Sequence, residues 1–187
     1  DGNVDVMIFR KNLSVIMISG NGDGTFETNT ANWVEVIDST TIDSRNGEVA
    51  DLDNDGDLDV VLSITTNISG SHILLLLNNG VGIFTIQPLT GSAEVSNQAK
   101  IADLNNDGIL DLVVAGGKFS GSAIAENSVF IGALTGSTLS YTRQALPQID
   151  AADHVTNSID VGDINGDGFV DIVVGNGGAK NYVYFNS

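Results

Sequence analysis

A nine-residue acidic segment occurs three times in this chain and limits what it can fold into: DLDNDGDLD at 51–59, DLNNDGILD at 103–111 and DINGDGFVD at 163–171. The opening DGNVD at 1–5 aligns with the second half of each copy when Asp1 is matched to Asp55, Asp107 and Asp167, at intervals of 54, 52 and 60 residues. A period of this length marks a supersecondary unit that buries its apolar surface against neighbouring copies. The units run over about 1–43, 44–94, 95–152 and 153–187.

Two further features recur in each unit. An apolar, β-branched run follows each acidic segment directly: Val6 to Phe9, Val60 to Ile64, Leu112 to Ala115 and Ile172 to Val174. A second run follows at Val15 to Ile18, Leu74 to Leu77, Val129 to Ala133 and Tyr182 to Phe185; in the first three units it leads to a Gly-rich turn, GNGDGTF at 20–26, NNGVGIF at 78–84 and GALTGSTL at 132–139. Short apolar runs between glycines, with no 3.6-residue period, read as strands. A further strand is expected before each acidic segment, at Glu48 to Leu52, Gln98 to Leu104 and Ser158 to Ile164. Runs such as ILLLL at 73–77 are apolar on both sides, so each sheet must be covered on both faces. Radially stacked four-stranded sheets of ~50 residues satisfy this, so the expected fold is all-β, a segment of a β-propeller with three to four blades. Three strands in the first unit, four in each of the next two and three in the last make 14. A ring of six to eight blades needs roughly 330–440 residues at ~55 per blade, so about half a ring is expected, with missing chain or a partner supplying the rest. The chain opens at Asp1, as a processed or partial piece would.

DLDNDGDLDVVL followed by ILLLLNNGVGIF resembles the FG-GAP or VCBS-type repeat of integrin α-subunit-like propellers, over almost the whole chain and most weakly between about 116 and 157. The Phe-Gly/Gly-Ala-Pro landmark is not intact, and there are no cysteines. The resemblance therefore implies a bacterial or archaeal secreted or surface relative.

The acidic segments have the front half of an EF-hand-like loop. Oxygen donors fall at positions 1, 3, 5 and 9, as Asp51, Asp53, Asp55 and Asp59, with Gly56 at position 6 for the sharp turn and the Asp57 carbonyl at position 7. The second loop offers Asp103, Asn105, Asp107, Asp111 and the Ile109 carbonyl; the third offers Asp163, Asn165, Asp167, Asp171 and the Phe169 carbonyl. Hard oxygen donors in this number suit Ca²⁺. Asp-Gly turns also occur without metal, with Asp bonding its own backbone, but three loops of clustered carboxylates repel themselves unless a divalent ion offsets them. Three calcium sites are expected. At 1–5 only Asp1, the Asn3 carbonyl and Asp5 survive, so a fourth would be incomplete. Position 12 holds Leu62, Val114 and Val174 where an EF-hand has its bidentate Glu, so EF-hand switching is excluded and calcium is expected to hold consecutive strands together. Without that Glu the affinity falls in the weak extracellular class of ~10⁻⁴–10⁻³ M, which points to secretion.

Composition narrows the function classes. Twenty-four acidic residues against seven basic ones give a net charge of −17, which disfavours nucleic acid and anionic lipid. Three bound Ca²⁺ would bring it to −11. No apolar stretch is long enough to span a bilayer, the longest candidate being Ile73 to Leu77. No disulfide or thiolate zinc site is possible, and no nucleophile or phosphate-loop motif is present.

If strands alternate in direction, the acidic loops and Gly turns share one face. The loops between strands 2 and 3 (10–14, 65–71, 116–127, 175–180) and between strand 4 and the next strand 1 (38–47, 90–97, 147–157) share the other, where a protein or glycan ligand is expected. Exposed candidates are Lys118, Phe119 and His154, the last near Asp150 and Asp153 and more simply read as solvated. His72 and Trp33 read as structural, although Trp33 could stack on a sugar. Asn12-Leu13-Ser14 and Asn67-Ile68-Ser69 are sequons. The reading is a non-catalytic calcium-binding extracellular scaffold for adhesion or recognition. The alternatives are the propeller part of a lyase-like polysaccharide-active enzyme, which acidic polysaccharide substrates would reveal, and a subunit of a surface fibre or layer, which imaging of polymers would reveal.

Overall fold

The computed structural model describes residues 2–9, 15–30, 43–92, 95–117, 125–147 and 155–187, and the backbone of 34–37. Asp1, Asn12, Trp33, Lys118, Phe119, Asp150, Asp153 and His154 lie outside the described residues, so the readings placed on them go no further.

Fourteen strands are described, in four antiparallel sheets, with no α-helix among the described residues. The first sheet holds β1 (Val6–Phe9), β2 (Val15–Ile18) and β3 (Val34–Ile37). The second holds β4 (Ser44–Ala50), β5 (Asp59–Ile68), β6 (Ser71–Asn78) and β7 (Phe84–Pro88). The third holds β8 (Ser96–Ala102), β9 (Asp111–Gly116), β10 (Ser128–Thr135) and β11 (Thr138–Ala145), and the fourth β12 (Val155–Gly162), β13 (Asp171–Gly177) and β14 (Tyr182–Tyr184). Every sheet is a simple meander, as the propeller reading requires.

Three apolar layers hold the four sheets together. Successive side chains of a strand point to opposite faces, and β6 uses both: Leu74 and Leu76 pack with Val60, Leu62, Ile64 and, across the gap, Val15 of the first sheet. Ile73 and Leu75 pack with Val61 and, on the third sheet, Leu112, Val114 and Phe130. β9 repeats the arrangement one sheet later, sending Val113 and Ala115 toward Ile159, Ile172 and Val174 of the fourth sheet. A sheet buried on both faces cannot show polar alternation, which is why these strands read as unbroken apolar runs.

Some expected boundaries shift. Residues 44–47, placed in a loop, are the start of β4, and residues 65–68 continue β5. The segment 65–71 therefore contains a tight hairpin: Gly70 N–H donates to Asn67 Oδ1 at 2.9 Å, and Ser69 and Gly70 take φ of 52° and 81°. The strands before the acidic loops end at Ala50, Ala102 and Gly162, ahead of the expected Leu52, Leu104 and Ile164, because the second loop residue turns its N–H to a side chain, as described below. The segment 132–139 is not a Gly-rich loop: Gly132 to Thr135 stay in β10, Thr135 pairs with Thr138, and only residues 136 and 137 turn.

Gly47 of β4 illustrates how closely the first two sheets approach. A Cβ there would lie 2.1 Å from Phe9 Cζ, whereas one at Gly162 would meet nothing within 4 Å. Gly47→Ala is expected to cost about 1–3 kcal/mol by overpacking. Gly162→Ala is expected to be neutral or stabilising by up to ~1 kcal/mol, because it only narrows the unfolded ensemble. Urea melts of the two variants, run in parallel, check this contrast.

Candidate metal centre

Each acidic loop begins where a first strand ends and closes where the second strand starts. The first Asp organises the turn. Asp51 accepts the N–H groups of Asp55 and Gly56 at 3.1 and 3.0 Å; Asp103 accepts those of Asp107 and Gly108 at 3.1 and 2.9 Å. Asp163 accepts those of Asp167 and Gly168 at 3.1 and 3.0 Å. Position 6 is left-handed, as expected for glycine: Gly56, Gly108 and Gly168 have φ of 97°, 83° and 92°. Position 4 is left-handed too, in Asn54 and Asn106 at 58° and Gly166 at 78°. The sequence carried that signal, since Asn and Gly tolerate positive φ best.

The fifth residue closes the loop onto position 7. Asp55, Asp107 and Asp167 each accept the N–H of Asp57, Ile109 and Phe169, at 2.9, 2.8 and 2.9 Å. In the second and third loops the position-3 amides, Asn105 and Asn165, donate to Asp107 and Asp167. The Asp57 side chain turns away toward the Gly turn, where a Cβ on Gly80 would lie 2.4 Å from its Oδ2.

The ninth residue has a second role that spacing alone does not show. Asp59, Asp111 and Asp171 are completely buried, and each carboxylate joins two pieces of backbone. One oxygen accepts the N–H of the second loop residue: Leu52 at 2.9 Å, Leu104 at 2.8 Å and Ile164 at 3.0 Å. The other accepts an N–H from the third strand or the residues just past it: Asn78 at 2.7 Å, Gly132 at 2.8 Å and Asn186 at 2.9 Å. Asp5 makes the corresponding bond to Gly20 at 2.9 Å, so the opening segment keeps this half of the strap. One bond per oxygen leaves each carboxylate further acceptor capacity.

The loop interior has the properties of a cation site. Ligand atoms of Asp51, Asp53 and Asp59 lie within 4.8 Å of one another, the one such carboxylate group among the described residues. Asp53 Oδ1 is buried with no hydrogen-bond partner. Burial raises the Asp53 carboxyl above its ordinary range, and the neighbouring charges of Asp55 and Asp51 add to the rise. Burial likewise raises Asp59 and Asp111, against the lowering effect of their two backbone donors. An orphaned carboxylate oxygen among like charges is what a hard divalent cation relieves. In the second and third loops position 3 is Asn, so fewer charges converge.

The sign of the pH response follows. A carboxyl whose folded pKa lies above its unfolded value favours the fold in its protonated form, so the metal-free chain loses that contribution as pH rises through the folded pKa. In EDTA the melting midpoint is expected to rise as the pH is lowered from neutral toward the raised pKa of these carboxyls. With saturating calcium the trend is expected to reverse, because protons then compete with the ion.

Elsewhere, His72 is buried with Nδ1 3.1 Å from the Ile64 carbonyl, in keeping with a structural role. Asn67 is exposed at its hairpin.

A family model described as an FG-GAP-like repeat matches the chain three times, over residues 1–62, 51–114 and 103–174. Each match ends at the twelfth position of an acidic loop, and the second and third begin at the first position of one. The family unit is thus a loop, the strands after it and the next loop. A comparison with curated proteins finds none that matches. Together the three matches run from residue 1 to residue 174, and with the four stacked meanders they make this chain a member of the FG-GAP-like repeat family, folded as part of a β-propeller.

Proposed function

We propose that this chain is a calcium-stabilised extracellular scaffold for adhesion or recognition, without catalytic activity, that presents protein or glycan ligands with the face opposite its acidic loops. The observation that carries the calcium reading is the buried, unpartnered Asp53 Oδ1 beside Asp51 and Asp59. Asp51, Asp53, Asp55, Asp59 and the Asp57 carbonyl would hold the first ion. Asp103, Asn105, Asp107, Asp111 and the Ile109 carbonyl would hold the second, and Asp163, Asn165, Asp167, Asp171 and the Phe169 carbonyl the third. A bound ion supplies charge neutralisation and cross-linking of the loop.

The extracellular assignment draws on two points. FG-GAP-like repeats are typical of extracellular proteins. Loops without a position-12 Glu suit millimolar calcium. Recognition rather than catalysis is supported by the commitment of the loop carboxylates to backbone and cation, which removes them from acid-base work. Isothermal titration with Ca²⁺ and separately with Mg²⁺ tests the metal reading. Close to three calcium equivalents with weaker magnesium binding are expected; no calcium heat at millimolar concentration overturns it.

A further inference from the structure

The first strands of the second, third and fourth sheets lie side by side and carry a device that repeats with the acidic loops. Pairing of β4 with β5 skips from Ser44 to Asn46, that of β8 with β9 from Ser96 to Gln98, and that of β12 with β13 from Thr156 to Ser158. The residues left out, Arg45, Asn97 and Asn157, occupy the same place in each unit. A bulge bends its strand and re-aims side chains, and bulges gather at barrel rims and beside functional sites. Here they turn polar groups from one blade to the next. Arg45 donates to Asn97 Oδ1, and Asn97 Nδ2 donates to the Thr156 carbonyl at 2.7 Å. Three residues beyond each bulge come Glu48, Lys100 and Asp160, with Lys100 Nζ 2.7 Å from Glu48 and 3.9 Å from Asp160.

A cavity of about 340 Å³ opens beside this row, lined by Gln98, Lys100, Ser158, Asp160, Gly175 and Asn181 among others. Two of its amides are held in fixed orientation. Gln98 Oε1 accepts the Ile159 N–H across the blade boundary at 2.9 Å, and Asn181 Oδ1 accepts the Asn176 N–H at 2.9 Å. Each carbonyl oxygen is thereby committed to backbone and each NH₂ remains as a donor. Asp160 adds a carboxylate acceptor and Ser158 a hydroxyl. A Cβ at Gly175 would stand 2.6 Å from Ser158 Oγ, so glycine there leaves that hydroxyl its position.

We propose that this cleft binds one unit of a neutral saccharide, a proposal that names the ligand class and the site for the recognition role above and rests on it. Elimination by chemistry leaves that class. An anion meets Asp160 and a net charge of −17; a cation meets the Lys100 ammonium, which is already paired with Glu48; a wholly apolar group finds Ile159, Val173 and Val174 but also two amides, a hydroxyl and two charges, whereas a sugar ring offers both an apolar face and hydroxyls. Vicinal hydroxyls both donate and accept, and match preorganised amide donors beside a carboxylate acceptor. The volume lies at the lower end of the range for small-ligand sites, suiting one sugar ring rather than a long chain.

The test is a titration of the calcium-loaded chain with methyl glycosides of glucose, galactose, mannose and N-acetylglucosamine, followed by backbone amide NMR. At least one glycoside is expected to shift Gln98, Ser158, Asn181 and their neighbours. Asp160→Asn and Asn181→Ala are each expected to weaken it at least tenfold, with unchanged melting midpoints showing that the variants fold. Two results overturn the cleft: no shift with any glycoside at tens of millimolar, or shifts on other loops that ignore both substitutions. The second spares the recognition reading and removes only this site. Saccharide binding that persists in a chain indifferent to calcium supports the cleft while removing the metal reading.

Discussion

Asp111→Ala is expected to destabilise the chain by about 3–5 kcal/mol, even in EDTA where no metal is at stake. The carboxylate is fully buried and takes the N–H groups of Leu104 and Gly132, at 2.8 Å each. Alanine leaves both donors buried without acceptors, at roughly 1–3 kcal/mol apiece, and opens a small void. One objection is that burial raises the pKa of Asp111, so removing it should relieve strain. That relief compares the charged carboxyl with the neutral one, and both forms still accept from backbone. Alanine offers neither, so the orphaned donors decide the sign. Asp107→Ala, at an exposed residue whose partners can turn to water, is expected to cost under ~1 kcal/mol in the same buffer. For a chain of this size the Asp111 variant should melt roughly 10 °C lower. A loss below 1 kcal/mol in metal-free urea titrations would show that these carboxylates serve only as ligands.

That contrast also marks how far the sequence was legible. The all-β character and the two-sided burial of β6 were readable from ILLLL and its counterparts, because sheet stacking leaves an apolar signature at every other residue on both faces. The sharp turn at position 6 of each loop was readable from spacing, and Gly56, Gly108 and Gly168 take the positive φ it requires. The strap made by Asp59, Asp111 and Asp171 was not, because its second donor comes from β10 or from residues at the close of the third strand, about 20 residues away, and no local pattern reports such a pairing. The bulges at Arg45, Asn97 and Asn157 were hidden for a related reason: an extra residue in a strand is defined only against its partner's register. Residues 65–68 misled in the opposite direction. Thr65, Thr66 and Asn67 look like loop composition, yet they continue β5 into a tight hairpin, because a strand that projects past the stacked sheets no longer needs apolar side chains.

Calcium removal is the other large effect expected, and its size follows from mass action. A ligand that binds only the folded state stabilises it by RT ln(1 + [L]/Kd) per site. With affinities in the ~10⁻⁴–10⁻³ M class, 10 mM calcium stands ten- to a hundredfold above Kd, worth about 1.4–2.7 kcal/mol at each loop. Three independent loops together give about 4–8 kcal/mol, a large share of the stability of any single domain. The first loop should contribute most, since among the described residues three carboxylates converge there alone, with Asp53 Oδ1 unpartnered; Asp53→Asn should therefore lower the calcium-dependent part of the midpoint more than Asn105→Ala or Asn165→Ala. Magnesium at the same concentration is expected to recover little, because it demands a tight octahedron that nine-residue loops with a carbonyl ligand do not enforce. Melting scans at 10 mM calcium, 10 mM magnesium and in EDTA, with ionic strength matched, separate specific binding from screening of the −17 charge. Coincident midpoints in all three would mean that the loops are held by their own backbone hydrogen bonds, and that position 9, not the ion, joins the strands.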